Sequence, residues 1–144
     1  MRVYEVMSRH VETVKPAVLA SEAKNRMHQL KIHHLVVTQG TRLQGLVSER
    51  DLGGSKLPKA LEKKTVADVM TTPVVTVTTR TPLRRAAAIM KGHSIGSLIV
   101  TSANGKVAGI ITVSDLLDLV AREPVRASNR DVRKAREEPE WDED

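Results

Sequence analysis

Along this chain the apolar positions switch between helical and strand spacing, and they do so twice in the same order. Val3, Val6 and Met7 fall at i, i+3 and i+4, a short helical face. The β-branched alternation from Val11 to Lys15 predicts a strand. Leu19, Ala23, Met27 and Leu30 form one stripe at helical spacing and predict a helix over 19–31. Leu35 to Thr38 predicts a buried strand, Gln39 to Arg42 a turn, and Leu43 to Ser48 a returning strand. Ser48 is a good N-cap for a short helix through Leu52, which Gly53-Gly54 stops.

Residues 53–64 read as a polar connector with Pro58 and several lysines, carrying a turn of helix around Ala60-Leu61. Thr65, with Asp68 three residues on, gives a capping-box-like start to a helix whose apolar face is Val66, Val69 and Met70, ended by Pro73. Val74 to Thr78 predicts a strand. Thr81-Pro82 reads as N-cap and first helical residue, with the helix running to about Lys91 and Gly92 just past its end. Ser97–Thr101 and Lys106–Thr112 predict a hairpin around Ala103-Asn104-Gly105. Thr112 caps a final helix over 113–122, broken by Pro124.

These two runs are copies. An offset of 63 residues places Val6-Met7-Ser8 on Val69-Met70-Thr71, Thr13-Val14 on Thr76-Val77, Met27 on Met90, and Ile32 to Val37 on Ile95 to Val100. One extra residue in the second hairpin moves the offset to 64, so that Gly45-Leu46-Val47-Ser48-Glu49-Arg50-Asp51-Leu52 falls on Gly109-Ile110-Ile111-Thr112-Val113-Ser114-Asp115-Leu116. A fixed-period repeat outranks any single motif. Each copy reads helix, strand, helix, strand, strand, helix. One copy is too small to close a core, and two packed together can. The predicted organisation is a first repeat over 1–54, a linker over 55–64, a second repeat over 65–122 and a charged, disordered tail over 123–144.

Composition narrows the chemistry. The 144 residues include no Phe, one Tyr, one Trp and no Cys, so aliphatics pack the core and thiolate chemistry is excluded. No apolar run approaches a membrane span and no signal-peptide core opens the chain, which predicts a cytoplasmic protein. The net charge is +6; residues 121–144 hold six basic and eight acidic side chains, leaving +8 on the repeats. A basic body suits a phosphate, nucleotide or nucleic acid, and equally a solvated surface. Trp141, among six acids in the last eight residues, could anchor a partner, fold back on the basic body or stand exposed. The phosphate-loop, nucleophile-elbow and His-Glu-x-x-His signatures are absent, and no catalytic residue is predicted.

The candidate binding residues lie where the copies repeat. Asp51 and Asp115 each stand three residues past a hydroxyl side chain, Ser48 and Thr112. Such a carboxylate can accept both hydrogen bonds of a ribose cis-diol, while the hydroxyl and free N–H groups of the same helix start favour a phosphate. A plain capping box has the same spacing. With no ring to stack on, a base would lie between aliphatics, Val11 and Val14 on one side and Val74 and Val77 on the other, which would be core strand residues in any case. His33-His34 has Gly96-Ser97 as its counterpart and would carry charge only as pH falls toward a histidine's pKa of ~6.5. Arg50 could reach a phosphate, and Arg80, Arg84 and Arg85 add charge near the second long helix. A metal site on His28, His33 and His34 lacks an acid at suitable spacing, so no metal is predicted.

Taken together, the paired motifs resemble the cystathionine β-synthase (CBS) domain, present as a tandem pair over residues 2–120. The resemblance implies an α/β (α+β) fold of two pseudo-twofold-related repeats, each roughly α-β-α-β-β-α, packed through their sheets with two clefts between them. It implies a regulatory ligand sensor, not an enzyme, that binds AMP, ADP or ATP, with S-adenosylmethionine possible, and that controls an unidentified partner protein, commonly as a homodimer. Basic residues before the second strand resemble those that contact nucleotide phosphates in the gamma subunit of AMP-activated protein kinase. The nucleotide-binding set so implied is Thr13, Val14, His33, His34, Ser48, Arg50, Asp51, Val74, Thr76, Val77, Ser97, Thr112, Ser114 and Asp115. The rival expectations are a nucleic-acid binder using the basic body and a dimerisation scaffold with empty clefts.

Overall fold

The structure, a computed structural model, describes residues 1–122. The described residues fall into two units, one over Met1–Val113 and one that begins at Ser114. The predicted tail over 123–144, with Trp141, lies outside the described residues.

The first unit holds two three-stranded sheets built alike. In the first, β1 (Thr13–Val14) pairs parallel with β2 (His34–Gln39), which pairs antiparallel with β3 (Arg42–Ser48). In the second, β4 (Thr76–Thr78), β5 (Ser97–Thr101) and β6 (Val107–Thr112) repeat that arrangement. A parallel neighbour needs a crossover, supplied by α1 (Ala20–Leu30) in one copy and α3 (Leu83–His93) in the other. Thr13 pairs with Val36 and Thr76 with Ile99, and the register slips after Val37 and after Val100, so even the irregularity repeats.

Each sheet is completed by the opening segment of the other copy. Residues 3–5 form a 3-10 turn, after which Ser8 exchanges backbone hydrogen bonds with Ile110 at 2.9 and 3.0 Å. α2 (Val66–Val69) leads into Thr71, which exchanges bonds with Leu46 at 2.8 and 3.1 Å. This crossing explains two glycines. A Cβ on Gly45 would lie 2.8 Å from Thr71 O and 2.6 Å from Met70 Sδ; one on Gly109 would lie 2.6 Å from Ser8 O and 2.8 Å from Met7 Sδ. The core follows the same logic: Val14, Ala20, Ala23, Met27, Leu35, Val37, Val47 and Leu52 bury together with Val66 of the second copy.

Several element edges differ from the sequence reading. Leu19 and Leu30 are 45% and 47% exposed; the buried face of α1 is Ala20, Ala23 and Met27, because Leu19 stays extended in a bridge to Thr65. Pro82, not Thr81, is the N-cap of α3, since Thr81 Oγ1 accepts from Thr78 N at 3.1 Å and closes the turn after β4. Gly92 lies inside α3, which ends at Ser94 (φ 54°), the counterpart of Lys31 (φ 56°) after α1. Ile95 N to Met90 O and Ile32 N to Met27 O, both 3.0 Å, close these ends, so a left-handed cap forms without glycine. Thr65 and Asp68 make the predicted capping box, with Thr65 N donating to Asp68 Oδ2 at 2.8 Å.

α4 (Val113–Ala121) follows β6 and carries Ser114 and Asp115 in its first turn, in the second unit. No helix among the described residues is long and apolar enough to cross a membrane.

Candidate functional site

The turn after β3 organises the site. Residues 50–52 form a 3-10 turn, and Gly53 follows in a left-handed conformation (φ 86°). Ser48 N donates to Asp51 Oδ2 at 2.8 Å and Asp51 N donates to Ser48 Oγ at 3.2 Å. The capping-box bonds therefore form, but around a three-residue turn preceded by Glu49 as N-cap. Three aligned peptides make little dipole, so the turn lacks the field that a full helix start at Ser48 would give an anion.

The turn opens onto a cavity of about 530 Å³. One wall comes from the first copy: His33, His34, Ser48, Glu49, Arg50 and Asp51, with Leu46 behind them. The facing wall comes from the second copy: Thr71, Pro73, Val74 and Val75, then Ser94 to Ser97. His34 sits opposite Ser48 in the β2–β3 register, which brings its ring to the Asp51 turn. Burial lowers the His34 pKa below its ordinary 6.5, the adjoining His33 lowers it further, and Asp51 partly opposes both. His33 Nδ1 lies 2.9 Å from Glu49 Oε1 at the solvent edge.

Seven of the residues named from the sequence thus line one cavity: His33, His34, Ser48, Arg50, Asp51, Val74 and Ser97. Others lie elsewhere. Val14 and Val77 are buried core residues, and Thr13 and Thr76 are exposed strand residues beside them. Thr112 ends β6 opposite Ser97, and Ser114 and Asp115 belong to α4. Leu46, Glu49, Thr71, Pro73, Val75 and Ser94 line the cavity without having been singled out. Glu49 and Val75 adjoin residues that were, and could have been found that way. Thr71 enters through its bridge to Leu46, a contact between copies that spacing along one copy does not signal.

The counterparts of Pro73 and Val75 are His10 and Glu12. His10 Nε2 lies 2.5 Å from Glu12 Oε2, and Arg26 Nη2 lies 3.7 Å from Glu12 Oε1, so that segment is ion-paired where the cavity wall is apolar. A second, smaller cavity of about 360 Å³ is lined by Tyr4, Met7, Arg9, Thr79, Arg80 and Ala108. Among the described residues no three His, Cys, Asp or Glu side chains gather to hold a metal.

Comparison with known proteins agrees with the duplicated architecture. The CBS domain family model matches residues 3–52 and 66–122. A CBS domain-containing protein of Dictyostelium discoideum is 30% identical over 137 residues, which cover 85% of this chain and 94% of that protein. A homoserine O-acetyltransferase of Methanohalobium evestigatum is 30% identical over 82% of this chain, but the matched region spans only 24% of that longer protein. The crystal structure of a CBS domain pair in complex with 5′-methylthioadenosine and S-adenosyl-L-methionine superposes with a TM-score of 0.74 at 25% identity, covering 83% of this chain and 99% of that one. With both repeats matched and both sheets built to one plan, the chain belongs to the CBS-domain family and carries a tandem pair of CBS domains.

Proposed function

We propose that this chain is a regulatory, non-catalytic module that binds an adenosine nucleotide (AMP, ADP or ATP) in the Asp51 cavity and signals occupancy to a partner protein. The observation that carries the reading is the division of the cavity walls. Adenine fits the apolar side, Leu46, Pro73, Val74 and Val75; ribose hydroxyls fit Asp51; phosphate fits His33, His34 and Arg50. Asp51 Oδ2 already accepts one bond from Ser48, and a carboxylate retains further lone pairs for a diol. Adenosine is also the part shared by the two ligands in the structural relative's complex. S-Adenosylmethionine therefore remains an alternative ligand to test.

Because the two walls come from different copies, a bound ligand would bridge them, and its effect on a partner can be no larger than its differential affinity for the two arrangements. Homodimerisation is part of this reading, supported by Leu117 and Val120 on α4, 64% and 69% exposed. The test is calorimetric titration of the nucleotide-stripped full chain with AMP, ADP, ATP and S-adenosylmethionine. Saturable binding that weakens at least tenfold in Asp51→Ala and persists in Asp115→Ala supports the reading. No heat with any of the four at millimolar concentration overturns it and leaves nucleic acid, through the +8 body, as the next ligand to test.

A further inference from the structure

Within the Asp51 cavity most of the ionisable groups already have a partner beside them. His33 is paired with Glu49 at 2.9 Å, and Asp51 accepts from Ser48 at 2.8 Å. Arg50 is exposed and permanently charged. His34 differs: it is half-buried, and among the described residues its ring makes no hydrogen bond. The titratable groups lining the cavity with it are His33 from its own strand and Glu49, Arg50 and Asp51 from the turn after β3. The segments packed opposite, 71–75 and 94–97, contribute only hydroxyls and apolar groups to the lining. A neutral imidazole thus sits on the wall left for a ligand's negative end.

We propose that the cavity takes up a phosphate-bearing adenosine ligand together with one proton from solvent, and that His34 is the residue that accepts it. The inference rests on the adenosine reading above and adds the selecting feature. A phosphate beside the ring stabilises imidazolium and so draws a proton onto it; an uncharged nucleoside does not, and a sulfonium centre opposes it. His34 is thereby a specificity residue for ligand charge.

The sign follows from the empty state. Burial and His33 hold the unliganded ring below its ordinary value, so it is neutral at neutral pH. The phosphate raises the liganded value. Affinity therefore increases as pH falls through the liganded value and levels off below the unliganded one, by at most about tenfold per pH unit for one proton.

The experiment is titration calorimetry of the full chain with AMP and with adenosine, from about pH 6.5 to 8.5, above the phosphate's own second ionisation near ~6. Each titration is repeated in buffers of different ionisation enthalpy to count protons, for the parent, His34→Gln and His34→Arg. For the parent with AMP we expect net proton uptake and affinity several-fold higher at the acid end. His34→Gln should show neither and match the parent's weak, alkaline affinity. His34→Arg should bind as tightly as the acidic parent at every pH. Adenosine should carry no proton. Because a variant can misfold, the His34 ring is also titrated by NMR in the parent, with and without AMP; an upward displacement of its pKa on binding is expected. AMP binding without proton uptake, or equal uptake in His34→Gln, overturns the proton linkage and leaves the adenosine reading standing. Absence of binding by AMP overturns the proton linkage, and absence of binding by AMP, ADP, ATP and S-adenosylmethionine alike overturns the adenosine reading with it.

Discussion

Thr13 pairs with Val36 in the first sheet and Thr76 with Ile99 in the second; Gly45 receives Thr71 as Gly109 receives Ser8; Lys31 and Ser94 end their helices in the same left-handed conformation. In their strands and crossover helices the two copies share one backbone plan. Their side chains differ. The first copy offers His33-His34 and Glu49-Arg50-Asp51, where the second has Gly96-Ser97 and Val113-Ser114-Asp115. The second offers Pro73-Val74-Val75 to the cavity, where the first has His10-Val11-Glu12 tied up by ion pairing. The duplication kept what closes the core and varied what lines the cavity. The ionisable side chains of the cavity come from one copy and most of its apolar ones from the other, so the asymmetry concentrates charge on one wall.

The largest test of this comparison is in the cores. Leu35 and Leu98 are equivalent and fully buried. Leu35→Ala and Leu98→Ala should each cost about 2–5 kcal/mol in chemical denaturation. If each sheet depends on the other copy's opening segment, both variants should still unfold in one transition. Two separate transitions would break the picture of mutually completed sheets.

Next come the crossing glycines. Adding a methyl at Gly45 or Gly109 forces it against a backbone carbonyl of the other copy at 2.8 or 2.6 Å, which cannot yield as a flexible side-chain tip can. Gly45→Ala and Gly109→Ala should each cost about 1–3 kcal/mol, a typical overpacking penalty, read from thermal or denaturant midpoints. A third substitution calibrates them. Gly54 has nothing within 4 Å of an added Cβ, so Gly54→Ala meets no clash and only the strain of its positive φ of 73°. Losses at Gly45 and Gly109 no larger than at Gly54 would show that the crossing yields to an added methyl, since neither of the two has the positive φ that strains Gly54.

These contacts also mark how far the sequence could be read. The repeat, the strand order within each copy and the Asp51 turn were legible because they depend on spacing along one copy. Thr65-Asp68 was legible for the same reason. The edges of α1 and α3 were misplaced where a tertiary contact took over: Leu19 belongs to a bridge, and Thr81 spends its hydroxyl on the preceding turn. The cavity was half legible. Its basic wall comes from one continuous pattern, but Thr71, Pro73 and Val75 arrive from the other copy, and periodicity within a copy carries no record of which sheet its first segment joins. Val14 and Val77, named for a base and core strand residues on either reading, are buried.

The smallest effect compares the two opening segments. Thr65 and Arg2 stand at matching positions, each followed three residues on by an acid that accepts its backbone N–H, at 2.8 Å from Asp68 and 2.7 Å from Glu5. Only Thr65 adds a hydroxyl, 3.1 Å from Asp68 Oδ2. Thr65→Ala should cost about 1 kcal/mol and Arg2→Ala less, since it removes no capping hydroxyl. The bonds from the Thr65 backbone N–H and then its hydroxyl hold the Asp68 carboxyl below its ordinary value, with Lys64 adding to them. The unfolded chain therefore binds the proton first, and stability rises with pH across that interval. Asp68's contribution is complete above its unfolded value and disappears as pH falls through its folded one. Denaturant unfolding of the parent and Asp68→Asn should give a constant difference at neutral pH that closes in acid. A difference that persists unchanged once the Asp68 carboxyl is protonated in the folded and unfolded parent alike would mean that Asp68 acts by shape and neutral hydrogen bonding, and that the capping charge contributes nothing to holding α2 where the first copy's sheet needs it.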